Sequence, residues 1–140
     1  MKIGCSYCGR IHEDNYICKD KEQELKRKRN SYKVKDVYKF YKTKDWKSKR
    51  EDIMERDMCM CQLCIRDRYM KDGMRRFEYD DISVHHILKL NENYDKRLDE
   101  DNLISLCKYH HSMVEDDRKY IDELIEIAKE QNEMYEKRFI

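Results

Sequence analysis

Apolar residues follow two different repeats along this chain, and each repeat predicts a different kind of element. In residues 120–139 they recur every three or four positions with acidic residues between them, which predicts an amphipathic helix. Residues 77–84 change into a β-type sequence and residues 103–106 are short and apolar, so these two segments are predicted to pair as strands. The pattern therefore predicts an α+β fold with a small sheet.

Two further helices are predicted in the first half of the chain. Residues 20–42 contain no Gly or Pro, and their apolar residues have helical spacing, which favours a helix with one apolar face. The residues of that face are Val34, Val37, Tyr38 and Tyr41. Thr43 is placed to cap a second helix that begins at Lys44, carries Trp46 on its apolar face and ends near Met58.

The composition leaves little apolar material for a core. The chain has 140 residues, enough for one domain, and 44% of them are charged, so we expect metal ions to help hold the fold together. The sequence has seven cysteines, an odd number, and shows no signal peptide or membrane-spanning segment. These features point to metal binding in a reducing cytoplasm, and they argue against a complete set of disulfides.

A net charge of +1 hides a strong asymmetry along the sequence. Residues 19–50 contain 14 Lys and Arg against 5 Asp and Glu, whereas residues 51–140 contain 15 against 23. The first segment is therefore predicted to be a basic arm that faces a polyanion. Its densest basic cluster is Lys26, Arg27, Lys28 and Arg29. The alternative is a solvated charged helix that has no partner.

Two groups of cysteines and histidines have the spacing of zinc ligands, and each group offers the four ligands that complete a tetrahedral coordination sphere. The ligands of the first group are predicted to be Cys61, Cys64, Cys107 and His110. Those of the second, a small N-terminal knuckle, are predicted to be Cys5, Cys8, His12 and Cys18. In the second group, a solvent-exposed His12 or three free thiols are the alternatives. Cys59 is predicted to bind no metal.

Three histidines are left over beside the first zinc group: His85, His86 and His111. Because the four predicted ligands already complete a structural zinc site, these three predict a second, open metal centre that performs chemistry.

These motifs resemble those of the HNH nuclease family, whose core is a β-hairpin followed by a helix that holds a divalent ion. The resemblance covers roughly residues 43–115. Residues 82–87 match the first part of the family motif, 101–107 the middle and 110–111 the end. The match is specific because the three motif letters are embedded between the two halves of a predicted zinc group.

The resemblance implies a role for each motif residue. His86 is the candidate general base, a role that suits an imidazole with an unperturbed pKa of about 6.5, and Asn102 braces the loop that holds it. His85 and His111 are implied to bind the catalytic ion, which is Mn²⁺, Mg²⁺, Ni²⁺ or Zn²⁺. Two imidazoles favour transition ions over magnesium. Glu115, one helical turn after His111, is either a further contact of this ion or a solvated acid.

The sequence thus predicts a small ββα-metal core with a zinc knuckle, flanked by helices, plus an N-terminal zinc knuckle. Its expected parts are the N-terminal knuckle at 1–20, a basic helical arm at 21–42, and a nuclease domain at 43–140 that ends in the amphipathic helix.

The expected function is metal-dependent cleavage or nicking of DNA phosphodiester bonds. Compact proteins of this family resemble phage enzymes that work with the packaging terminase, which implies DNA and a terminase as partners, no membrane, and the cytoplasm of a bacterial host. Structural zinc is expected in the first group of ligands and in the N-terminal knuckle. One alternative is a non-catalytic zinc module that binds DNA or a terminase, and another is a homing or restriction nuclease. The sequence does not define the DNA target or the oligomeric state.

Overall fold

The computed structural model describes residues 1–138, apart from the side chains of residues 29–35. The described chain forms two compact units, residues 1–40 and residues 41–140. No helix within the described part of the chain is long and apolar enough to cross a membrane.

The N-terminal unit begins with a small antiparallel hairpin. Its strands are β1 (Lys2–Gly4) and β2 (Ile11–Glu13). The turn between them contains Gly9 at φ 74°, a left-handed conformation that glycine adopts without a steric cost. The helix α1 (Lys19–Tyr41) follows.

Helix α1 forms as predicted, but the predicted apolar face is wrong. Tyr38 and Tyr41 are 63% and 41% exposed, and the side chain of Val34 lies outside the described residues. Among the described side chains of this segment, the aromatic ring that is buried is that of Phe40, at 3% exposure.

The second unit contains four helices and one hairpin. In chain order the elements are α2 (Lys44–Arg56), α3 (Gln62–Ile65), β3 (Ser83–His86), β4 (Leu103–Leu106), α4 (Lys108–Val114) and α5 (Ile121–Lys137). The fold is therefore the predicted ββα core, in which α4 follows the hairpin and the other helices flank it. The C-terminal amphipathic helix, predicted over 120–139, is α5.

Helix α2 begins as the sequence predicts and ends slightly earlier. The Thr43 hydroxyl accepts a hydrogen bond from the Trp46 backbone N–H at 3.2 Å, which satisfies one of the free donors of the first turn. The helix ends at Arg56 because Met58 and Cys59 both have φ of 55°, outside the right-handed helical region.

The first strand is shorter than predicted. It begins at Ser83, whereas Phe77 and Tyr79 are 62% and 64% exposed and belong to no strand. All four residues of β3 are paired with β4, from Ser83 opposite Leu106 to His86 opposite Leu103. Leu106, the last residue of β4, pairs with Ser83. The β-type residues before Ser83 therefore have no residue of β4 opposite them.

The core lies around strand β4, all of whose side chains are buried. Helices α3 and α5 supply most of the remaining apolar contacts. The central side chains are Leu63, Ile104, Leu106, Leu124, Ile127 and Ala128.

A buried ion pair ties α2 to this core, and nothing in the sequence pattern predicts it. Arg56 and Asp57 are 2% and 0% exposed and make two parallel hydrogen bonds, of 2.9 and 3.1 Å. Arg56 also donates to the Leu103 carbonyl at 2.7 Å. The Asp57 carboxylate accepts from the Ser105 N–H at 2.9 Å and from the Gln131 amide at 3.2 Å. The pair therefore links α2, β4 and α5.

Replacing Arg56 with methionine is expected to destabilise the second unit by about 3–5 kcal/mol, because it leaves a buried carboxylate without its cation. The measurement is the denaturant midpoint of the zinc-loaded protein. Lys49→Met is the control, since the Lys49–Glu100 pair of 3.2 Å has an exposed acid and is expected to contribute less than about 1 kcal/mol. Equal midpoints for the two variants would contradict a structural role for Arg56.

Candidate metal centres

The first predicted zinc group comes together in the core of the second unit. Cys61 precedes α3, Cys64 lies within it, Cys107 precedes α4 and His110 lies on its first turn. The His110 Nδ1 atom is 3.4 Å from each of the three sulfurs, and the sulfurs of Cys64 and Cys107 are 3.8 Å apart. All four side chains are buried.

These distances fit a tetrahedral zinc ion. Typical Zn–S and Zn–N bonds place two sulfurs about 3.8 Å apart, and a sulfur and a nitrogen about 3.6 Å apart. The other ring nitrogen of His110 donates to the Tyr69 carbonyl at 3.0 Å, which directs Nδ1 toward the sulfurs. Burial raises the pKa of the Cys61 and Cys64 thiols. Thiolates at this place therefore require a cation, and a zinc ion would supply that charge.

The second predicted group also comes together, in the N-terminal unit. The ligand atoms of Cys5, Cys8, His12 and Cys18 all lie within 4.8 Å of one another. The sulfurs of Cys5 and Cys18 are 3.8 Å apart. His12 Nδ1 bonds to the Glu13 carbonyl at 2.9 Å, while its Nε2 is buried and has no hydrogen-bond partner among the described residues. A zinc ion would satisfy this nitrogen, and the geometry favours His12 as the fourth ligand over a solvent-exposed His12.

Cys59 belongs to neither group. Its side chain is exposed, and no cluster found among the described residues contains it.

The structure brings His85 and His111 together. Their ring centroids are 4.8 Å apart, and His85 is 7% exposed. The Ser83 hydroxyl lies 2.8 Å from His111 Nδ1. Ser83 and His85 are two positions apart in β3, so they share a face of the strand, and that face meets α4.

The protonation of His85 suits metal binding. Burial, together with the nearby His111 and His86, lowers the pKa of His85 to about 3, so its ring is neutral at physiological pH. When His111 donates its Nδ1 proton to Ser83, its Nε2 lone pair is free for a cation. Two imidazoles that lie together in this way fit a divalent transition ion.

An open cleft adjoins His111. It is lined by Asp81, Ile82, Ser83, Lys108, His111, Ser112 and Glu115. Glu115 therefore lies on the cleft with His111, as predicted from their spacing of one helical turn.

His86, the last residue of β3, contacts the Arg97 carbonyl, the Trp46 indole and the Tyr41 hydroxyl. Its Nε2 lies 3.0 Å from the Arg97 carbonyl; because a carbonyl can only accept, Nε2 carries the proton and Nδ1 carries the lone pair of the neutral ring. The indole of Trp46 stacks on the ring with centroids 4.8 Å apart. The Tyr41 hydroxyl lies 3.5 Å from Nδ1. Burial lowers the pKa of His86, and the bond to Arg97 opposes this effect.

Asn102 holds the loop that carries the Arg97 carbonyl. Its side-chain oxygen accepts from the Leu88 N–H at 2.7 Å, and its amide donates to the carbonyls of Leu88 and Lys96 at 3.3 and 3.2 Å. Lys96 directly precedes Arg97. These bonds support the bracing role that the resemblance implies for Asn102.

The predicted DNA-binding cluster lies on α1. Lys26 is 3.8 Å from Glu22, and Arg27 is 2.7 Å from Glu24, so each of these cations has a carboxylate one turn away. Lys28 is exposed, and the side chain of Arg29 lies outside the described residues.

The sequence did not reveal several residues that surround His86 and the His85–His111 pair. Ser83 could have been found from its two-residue spacing to His85. Trp46, the single tryptophan, was identified only as part of an apolar helix face. The Arg97 carbonyl has no sequence signal, because a backbone oxygen is available at every position.

Comparisons with known proteins agree with this geometry. The family model described as HNH endonuclease matches residues 61–117. A solved structure, described as the crystal structure of a deep-sea thermophilic bacteriophage GVE2 HNH endonuclease with manganese ion, is 29% identical with a TM-score of 0.50. The match covers 72% of this chain and 98% of the phage enzyme. No match was found among curated proteins.

Proposed function

Since residues 61–117 belong to the HNH endonuclease family, we propose that this chain is a metal-dependent endonuclease that cleaves or nicks DNA. The observation that carries the proposal is the arrangement of three histidines. His86 presents a lone pair on Nδ1, the ring centroids of His85 and His111 are 4.8 Å apart, and His111 lines an open cleft.

Hydrolysis of a phosphodiester requires a water that loses a proton while its oxygen attacks phosphorus. In this site the proton passes to His86 Nδ1, and the bond from phosphorus to the leaving sugar oxygen breaks. Donation from Nε2 to the Arg97 carbonyl stabilises the positive charge that the ring then carries. Asn102 keeps that carbonyl in place through its bond to Lys96.

His85 and His111 are the residues that would hold the catalytic ion. A divalent ion bound there supplies Lewis-acid stabilisation of the phosphoryl oxygens. Ser83 orients His111, and burial keeps His85 neutral, so both rings are prepared to bind. The manganese in the phage enzyme supports a transition ion, and Mn²⁺, Ni²⁺ and Zn²⁺ are preferred over Mg²⁺ on the nitrogen donors.

Structural zinc completes the proposal. One ion would be held by Cys61, Cys64, Cys107 and His110, and a second by Cys5, Cys8, His12 and Cys18. The first joins α3 to α4 and thereby fixes the helix that carries His111. The second holds the hairpin of the N-terminal unit, where Cys5 and Cys18 are among the few buried side chains.

The N-terminal segment is proposed to bind the DNA backbone through Lys26, Arg27, Lys28 and Arg29. The local charge of this segment supports the role, while the carboxylates beside Lys26 and Arg27 reduce the free charge of the cluster. We also propose that the chain divides into the N-terminal knuckle at 1–20, the basic arm at 21–42 and the nuclease domain at 43–140.

Replacing Lys26, Arg27 and Lys28 with glutamine is expected to weaken duplex binding and to make its dependence on salt shallower. Each phosphate contact that is lost removes about 0.9 from the slope of log affinity against log salt. The matched control is the same replacement at Lys119, Lys129 and Lys137, which removes equal charge from the C-terminal part. Identical slopes for the two triple variants would show that the arm does not contact phosphate.

A phage setting is supported by the bacteriophage enzyme, and we propose on this basis that the nuclease assists DNA packaging together with a terminase. Co-purification with the large terminase subunit of a phage genome that encodes this chain tests the association.

The activity itself is tested by incubating supercoiled plasmid with the zinc-loaded protein and Mn²⁺, Mg²⁺, Ni²⁺ or Zn²⁺. Conversion to nicked or linear DNA that a chelator stops is the expected result. DNA binding without cleavage in any ion would favour the non-catalytic zinc module instead.

A further inference from the structure

Two aromatic rings, those of Trp46 and Tyr41, pack against the candidate base. Trp46, 5% exposed, stacks on His86, and the ring of Tyr41 meets both in edge-to-face geometry, at 5.5 Å from Trp46 and 5.9 Å from His86. The Tyr41 hydroxyl lies at the end of this arrangement, 3.5 Å from His86 Nδ1.

The position of this hydroxyl matters because His86 has only one nitrogen with which to accept a proton. Nε2 is occupied by the Arg97 carbonyl, so a water that gives up its proton has to approach Nδ1. The Tyr41 hydroxyl already lies beside that atom. At 3.5 Å the direct contact is at the outer limit of a hydrogen bond, and it can be exchanged for two shorter bonds through a water.

We propose that Tyr41 is a further catalytic residue, whose hydroxyl holds the attacking water against His86 Nδ1. The inference rests on the proposed nuclease function. A water between the two groups accepts a hydrogen bond from the tyrosine O–H and donates one of its own hydrogens to Nδ1, so both groups keep a partner. Tyr41 is 41% exposed, which leaves its ring room to turn as the water enters.

The reaction step balances with these groups, the substrate and solvent water. One O–H bond of the water breaks and an N–H bond forms at Nδ1, while the water oxygen forms a bond to phosphorus. The bond to the leaving sugar oxygen breaks, and that oxygen leaves with the bonding electron pair and takes up a proton from solvent water. Throughout the step, the Tyr41 O–H donates to the attacking oxygen while it carries developing negative charge, and Tyr41 itself gains and loses no proton.

The surroundings keep Tyr41 in the form that this role requires. Burial raises the pKa of Tyr41, and the negative charge of Glu115 raises it further. The hydroxyl therefore stays protonated and able to donate.

The test is Tyr41→Phe in the full chain, which removes the hydroxyl and keeps the ring against Trp46 and His86. We expect kcat for duplex cleavage to fall about 10- to 100-fold with KM within about twofold, since a donor to developing charge acts in the transition state. The thermal midpoint and the calorimetric affinity for Mn²⁺ are expected to stay at the wild-type values. Tyr79→Phe, a hydroxyl deletion at a 64% exposed tyrosine, is the control.

A kcat for Tyr41→Phe within twofold of the wild type would overturn the proposal. Tyr41→Leu separates the ring from the hydroxyl: if this variant alone is slow, the ring positions His86 and the hydroxyl has no role. The two proposals fail in different ways. An active wild type with an unaffected Tyr41→Phe variant overturns only the role of Tyr41, whereas a wild type that cleaves in no ion overturns the nuclease function and the role of Tyr41 with it.

Discussion

Replacing Cys64 with serine is expected to abolish the cooperative unfolding transition of residues 41–140. Cys64 is fully buried, and its sulfur is one of three placed 3.4 Å from His110 Nδ1. Structural zinc sites contribute roughly 10–16 kcal/mol in small peptides, more than the net stability of a typical domain. Loss of one ligand in four therefore removes the main link between α3 and α4. Circular dichroism during heating, together with the zinc content of the purified protein, measures this effect.

Cys59→Ser is the matched control for this experiment, because it makes the same change at an exposed thiol outside both clusters. It is expected to keep the wild-type transition and zinc content. A Cys64→Ser protein that unfolds cooperatively at the wild-type temperature without bound zinc would contradict the assignment of the site.

His86→Ala is expected to reduce cleavage by about 100- to 10,000-fold, the usual contribution of a general base. The fold should persist, since His86 lies outside the apolar core cluster. Binding of Mn²⁺ should also persist, because Nε2 faces the Arg97 carbonyl and Nδ1 faces Tyr41. Single-turnover cleavage and calorimetric titration with Mn²⁺ measure the two properties.

His111→Ala provides the contrast to His86→Ala. The His111 ring lies beside His85, so its loss should weaken Mn²⁺ binding while the fold persists. If His86→Ala lost the ion and His111→Ala kept it, the roles of the two histidines would have to be exchanged.

Most of the fold could be predicted from the sequence because its signals are local. Thr43 three residues before Trp46 predicts a capped helix, and the structure contains that cap. The apolar segment 103–106 is the second strand of the hairpin, and the periodic apolar positions of the C-terminal part are α5. Zinc-ligand spacing identified both clusters, because cysteines and histidines that lie only a few residues apart on short turns can bind the same metal ion.

The errors arose where the outcome depends on a partner element. The first strand was predicted from Phe77, but a strand persists only as far as its neighbour does, and β4 ends the pairing at Ser83. The apolar face of α1 was inferred from spacing alone, although spacing does not say whether another surface covers Tyr38.

The surroundings of His86 could not be predicted for a related reason. Arg97 is far from Tyr41 and Trp46 in sequence. The three residues meet only because the segment that begins α2 and the loop braced by Asn102 both pack near the end of β3. The Arg56–Asp57 pair shows the same limit. An adjacent Arg and Asp are ordinary in a sequence with 44% charged residues, and only the fold reveals that both are buried.

Chemical rescue of His86→Gly tests most directly the claim that this imidazole activates water in a metal-dependent nuclease. The measurement is the single-turnover cleavage rate of duplex DNA at saturating Mn²⁺, with increasing concentrations of free imidazole. We predict a rate far below that of the wild type which rises with imidazole, because the free base can enter the space that the side chain leaves. A variant that cleaves at the wild-type rate, or a slow variant whose rate does not respond to imidazole, would contradict the role of His86 as the base.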